Sequence, residues 1–105
     1  MFKVIDVRAF GGVEAFKRQG GVYVGRPGPF GNRFIVGRHG DRAQCSKLYK
    51  QWLWRERRGQ AKHVWAKLAA LRGDELLGCW CHGSHDCHAH VLAAAWGYQE
   101  AGGTL

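Results

Sequence analysis

Apolar positions recur along this chain at two different periods. Val4, Ile5 and Val7 flank Asp6 in a short β-branched run that predicts a first strand, and Val22-Tyr23-Val24 predicts a second, ended by Gly25. Between them, Gly11-Gly12 and Gly20-Gly21 bracket Val13–Arg18, a segment compatible with one or two helical turns or with an irregular connection. From Cys45 the period changes. Cys45, Leu48, Tyr49, Trp52 and Leu53 fall at i, i+3, i+4, i+7 and i+8, one face of an amphipathic helix whose far face holds Lys47, Lys50 and Arg55. Asp41 stands where its N-cap belongs, and Gln44 three residues on completes a capping box. Arg57-Arg58-Gly59 ends it. Val64, Trp65, Leu68 and Leu71 stripe a second helix from about Ala61 to Arg72, with Gly73 in the place of a C′ glycine.

Glu75–Cys81 alternates as a third strand. Leu77, Cys79 and Cys81 share one face, and Leu76, Gly78 and Trp80 share the other. After a turn over His82–His85, Asp86 is placed to cap a last helix that buries Val91, Leu92, Ala95 and Trp96. Gly97 and the tail over 97–105 are expected to fray that helix. One long stretch, Gly25–Gly40, has neither period. Its prolines and glycines exclude a helix, although Phe34-Ile35-Val36 is a candidate extra strand. Loops this long are usually functional or disordered, and Arg26, Arg33, Arg38 and two phenylalanines point to an ordered, functional one. The order β, β, α, α, β, α predicts a single α/β domain over 1–105: a small Rossmann-like sheet of about three to four strands covered by about three helices.

Composition sharpens this picture. Apolar residues make up 46% of the chain, enough for a core without disulfides. No run of about 20 apolar residues exists, so no membrane span is expected. Met1–Asp6 carries charges inside its apolar run and no small-residue cleavage site, which argues against a secretory signal and for the cytoplasm. Cysteines in that compartment are thiols or metal ligands. Sixteen Lys and Arg against eight Asp and Glu make a surface that attracts phosphates, on a nucleotide or along a nucleic acid. A generic basic surface carries the same charge.

Candidate chemistry concentrates in two places. The first is Cys79–His90, which holds three of the four cysteines and four of the six histidines, at a strand end, a turn and a helix start. Three readings are open. Cys79, Cys81 and Cys87, with His88 or one of His82, His85 and His90, have the ligand types for a tetrahedral zinc. Cys87 at a helix N-terminus, beside His88, has the setting of a reactive thiol and its base, which makes these two the catalytic candidates. Alternatively, Cys79 and Cys81 are small core residues and the histidines a polar turn. The second place is Gly25–Phe34. It lacks the lysine and the glycine spacing of the known phosphate loops. Its glycines still allow close backbone approach, its arginines can fork onto phosphate, and Phe30 and Phe34 can stack a base. The bland reading is a solvated Pro/Gly surface loop. Of five tryptophans, Trp54 alone lies off its helix stripe, and beside Arg55, Arg57 and Arg58 it would suit nucleic acid or a protein partner.

Val22-Tyr23-Val24-Gly25-Arg26-Pro27, Phe30-Gly31-Asn32, Gly40-Asp41-Arg42, Tyr49-x-x-Trp52-Leu53, Leu71-Arg72-Gly73, Leu77-Gly78-Cys79-Trp80-Cys81 and Cys87-His88-x-x-Val91-Leu92, in that order, resemble the family catalogued as domain of unknown function 4326. The resemblance runs over about 4–96 and implies a bacterial or bacteriophage protein in which the arginine loop and the Cys/His turn belong to one site. It implies no activity. Two positions depart from the family pattern: Arg33 replaces a proline, and His90 replaces an acidic residue. The expected function is therefore binding of a nucleotide or nucleic-acid phosphate. Arg26 and Arg33 contact the anion, Asn32 orients a polar ligand group, and Cys81, Cys87 and His88 form the reactive or zinc centre. Two other expectations are carried beside it: an accessory protein whose basic helix over Lys47–Arg58 binds nucleic acid or a host protein, and a module stabilised by zinc.

Overall fold

The computed structural model describes residues 2–26, 28–80 and 87–101. Three strands, β1 (Lys3–Asp6), β2 (Val22–Tyr23) and β3 (Leu76–Cys79), form one sheet in the order β1-β3-β2. Both pairings are parallel, and the last of the described strands sits in the middle. Lys3 pairs with Leu76 and Asp6 with Cys79, while Val22 pairs with Leu77 and Tyr23 with Gly78. Val24 prolongs the β2 ladder by donating its N–H to the Gly78 carbonyl at 2.8 Å. Parallel pairing brings the C-terminal ends of all three strands to one edge of the sheet.

Alternation along β3 decides what covers each face. Gly78 lies under Phe16 and Val7, and a Cβ there would come within 2.5 Å of the Phe16 ring. Gly21 abuts the same ring. These two glycines leave the slot into which α1 (Val13–Arg18) drops fully buried Phe16. Leu77 and Cys79 face the other way, into the main core with Val24, Tyr49, Leu53 and Leu92. That layer comprises α2 (Arg42–Arg55), α3 (Lys62–Ala69) and α4 (His88–Glu100). Burying a leucine such as Leu77 contributes roughly 1.5–3 kcal/mol.

The strongest local expectation is met at α2. Asp41 accepts from the Gln44 N–H at 2.8 Å, and the Gln44 side chain accepts from the Asp41 N–H at 2.8 Å, a complete capping box. Cys45, Tyr49 and Leu53 are its buried stripe, with Leu48 and Trp52 half-buried beside them. Val13–Arg18 is helical, and among the described residues four α-helices stand where about three were expected.

Other expectations are corrected. Phe34–Val36 is not a strand: the Phe34 N–H is taken by Asn32 Oδ1 and the Ile35 N–H by His39 Nδ1, and the Ile35 carbonyl closes a turn. With these two donors held by neighbouring side chains, neither serves a ladder. Helix α3 stops at Ala69, short of Gly73. Gly73 instead adopts φ +106° beneath the Trp96 ring, a backbone conformation that side chains disfavour. Helix α4 is capped by Cys87 rather than Asp86, which lies outside the described residues, as does Cys81. It runs through Gly97 to Glu100, and residues 102–105 of the expected tail lie outside the described residues.

Two predictions follow from these caps and turns. Gly97 is exposed, and a Cβ there meets nothing within 4 Å. Gly97→Ala is expected to stabilise the fold by about 0.5–1 kcal/mol, read as a higher thermal midpoint. The Glu75 carboxylate is partly desolvated, which raises its pKa, but the N–H groups of Arg72 and Gly73 at 2.8–3.1 Å and the Arg72 charge outweigh this and lower it below 4.5. A lowered native value means stability that is fully present above 4.5 and lost as pH falls through the native value. Glu75→Gln should therefore destabilise at neutral pH, and the gap from the unsubstituted protein should close on acidification in denaturant melts.

Candidate functional site

The C-terminal edge of the sheet opens into a cleft of about 330 Å³. Each element brings residues to it. The segment after β2 gives Gly25, Arg26, Asn32, Phe34 and Val36. The first turn of α2 gives Arg42 and Cys45. The end of β3 gives Cys79 and Trp80, and the first residue of α4 gives His88. Among the described residues the lining holds two guanidinium groups and no carboxylate.

The floor is formed by Cys79 and His88, with Cys87 in contact with Cys79 behind it. Cys79 and Cys87 are both buried, with their sulfurs 2.9 Å apart. Two thiolates on one tetrahedral zinc stand about 3.8 Å apart, given Zn–S bonds near 2.3 Å. Among the described residues no three Cys, His, Asp or Glu side chains converge as a metal site. As N-cap, Cys87 accepts the Ala89 N–H on its sulfur at 3.5 Å. His88 is 6% exposed and directs Nε2 at the Val24 carbonyl, 2.5 Å away. A carbonyl only accepts, so Nε2 carries the hydrogen. In the neutral ring Nδ1 is then an acceptor, and it lies 4.0 Å from Cys87 Sγ. The edge of Tyr49 packs against the imidazole with ring centroids 5.1 Å apart. Burial pushes the Tyr49 phenol well above its ordinary range, so it stays a neutral donor, bonded to the Phe30 carbonyl at 3.1 Å.

The wall is a loop held down by side chains. Asn32 Nδ2 donates to the Cys45 carbonyl at 3.3 Å, and Asn32 Oδ1 accepts the Phe34 N–H at 2.9 Å. The amide expected to orient a ligand therefore also holds the loop to α2. Phe30 is core, leaving Phe34 as the phenylalanine of the cleft. Arg26 and Arg33, expected as a pair, are separated. Arg26 is exposed on the lining, whereas Arg33 donates to Gln60 Oε1 at 3.0 Å and lies over the Trp52 ring at 5.2 Å, outside it. The second lining guanidinium is Arg42, directly after the α2 N-cap. Its signal was available in the Gly40-Asp41-Arg42 motif.

The mouth carries Trp80. It is 47% exposed, the most open of the tryptophans. Its Nε1 donates to Tyr23 Oη at 3.1 Å, which donates in turn to the Arg26 carbonyl at 2.7 Å. The Arg8 guanidinium stands 5.5 Å from its ring and bonds its carbonyl at 3.3 Å. Strand alternation pointed Trp80 away from Cys79 but gave no sign that it would stay about half exposed. Trp54, expected to be exposed, meets Trp65 at 4.8 Å and Tyr98 at 5.0 Å, with the Arg57 guanidinium 4.3 Å from the Trp65 ring.

A three-stranded parallel sheet with helices, opening at its strand ends into a cleft lined by Arg26, Arg42, Cys79 and His88, defines this molecule as a small α/β domain. The family model described as Domain of unknown function (DUF4326) matches residues 11–97, and the chain belongs to that family. No curated protein and no solved structure matches it.

The wall gives a direct test. Asn32→Ala leaves the part-buried Phe34 N–H without its acceptor, and should cost about 1–3 kcal/mol in chemical denaturation. Asn32→Asp, which keeps the acceptor, should recover part of that loss.

Proposed function

We propose that this chain binds a mononucleotide in the cleft at the strand ends, with the phosphate at Arg26 and Arg42 and the base against Trp80. The observation that carries this reading is a lining with two guanidinium groups and, among the described residues, no carboxylate. Arginine in such a setting forks onto phosphate. A volume near 330 Å³ lies at the small end of ligand pockets, which favours one nucleotide over a longer polymer. The parallel sheet with its cleft at the strand ends supports a Rossmann-like reading, because open α/β sheets bind ligands at that edge.

The reading based on the basic face of α2 loses its aromatic contact, since Trp54 is packed against Trp65 and Tyr98. For the floor, the 2.9 Å sulfur contact favours thiols, as in a reducing cytoplasm, over a shared zinc. Among the described residues no helix is long and apolar enough to cross a membrane.

Calorimetric titration with a nucleoside monophosphate and with its parent nucleoside tests this at low salt. The monophosphate should bind more tightly, Arg26→Ala should weaken it by about tenfold or more, and Arg33→Ala should leave it unchanged. Equal affinity for nucleotide and nucleoside, or an Arg26→Ala protein that binds as before, would sink the proposal.

A further inference from the structure

Beneath the anion-binding wall lies chemistry that nucleotide binding does not use. Cys79 ends β3 and Cys87 caps α4. They come from elements eight residues apart in sequence, yet their sulfurs are in direct contact at 2.9 Å. A disulfide bond is about 2.05 Å long, so closure requires under 1 Å of sulfur movement. The two sulfurs are not bonded to each other in this structure. The pair is buried, but Cys79 borders the cleft, which gives a small solute a route to its sulfur. Beside Cys87 is a proton acceptor, because the Val24 carbonyl holds the hydrogen on His88 Nε2 and leaves Nδ1 facing Cys87 Sγ. The Ala89 N–H directed at the same sulfur supports negative charge there.

We propose that Cys79 and Cys87 are a redox-active dithiol that a peroxide converts to an intrachain disulfide on the cleft floor. The Cys79 sulfur attacks one peroxide oxygen and breaks the O–O bond. It becomes a sulfenic acid, and the other oxygen takes the Cys79 thiol proton and leaves as water, or as an alcohol from an organic peroxide. The Cys87 thiol passes its proton to His88 Nδ1 and attacks the Cys79 sulfur. The S–S bond forms as the S–O bond breaks, and the departing hydroxide takes the proton from His88 and leaves as water. Two thiols are oxidised by two electrons, the peroxide is reduced by two, and an added dithiol reverses the change.

The proposal is independent of the ligand, so its test does not require one. Purified protein is treated with hydrogen peroxide, its thiols are counted, and a digest is mapped without reductant. The expected result is loss of two of four thiols, a chain mass lower by two hydrogens, and one linked peptide pair joining Cys79 to Cys87, all reversed by dithiothreitol. In Cys87→Ser, Cys79 should stop at the sulfenic acid and be trapped by dimedone; should that variant not fold, the map of the unsubstituted chain decides. Added oxygen at Cys79 without a crosslink, a link through Cys45 or Cys81, inert thiols, or a zinc ion shielding them would each overturn it.

Discussion

Much of this structure depends on the placement of β3 between β1 and β2. A strand with a parallel neighbour on each side must satisfy both ladders, so neither β1 nor β2 has a sheet partner until β3 arrives. The candidate site is then drawn to one edge. The loop after β2, the end of β3 and the start of α4 meet at the cleft because the strands run the same way. Gly78 lies at the centre of this arrangement. On one side its missing side chain admits Phe16, and on the other its neighbours Leu77 and Cys79 reach the core and the thiol floor.

Most of the elements could be read from the chain, because their signals are local. The capping box at Asp41, the stripe of α2 and the alternation through Leu77, Gly78 and Cys79 each need only a few neighbouring residues to specify them. What could not be read depends on contacts between distant segments. Ile35 and Phe34 are apolar and β-prone, but Asn32 and His39 capture their donors. Gly73 has the spacing of a helix cap, but Trp96 and Glu75 determine its conformation. Trp54 lies off its helix stripe, yet α4 supplies Tyr98 to cover it. In each case a side chain from elsewhere in the fold overrides the local pattern.

The candidate site was legible in its parts and less so in its assembly. Arg26, Cys79 and His88 were identifiable as residue types and do converge on the cleft. The two arginines of the loop looked equivalent, but Gln60 and Trp52 draw Arg33 away, and the cleft takes Arg42 instead. Asn32 has the chemistry of a ligand contact, but its amide is largely engaged in holding the wall. The floor has a similar double character. The hydrogen bond from His88 to the Val24 carbonyl ties α4 to the end of β2, and it also determines which imidazole nitrogen faces the sulfurs.

Trp80 has one more consequence. Trp52, Trp54, Trp65 and Trp96 are buried or half-buried among other side chains, while Trp80 is open to water at the mouth of the cleft. An indole in water emits at longer wavelength and is reached by ionic quenchers, and packed indoles are shielded. The chain therefore carries its own optical probe: the red, quenchable part of its fluorescence comes chiefly from the residue beside which a ligand would sit.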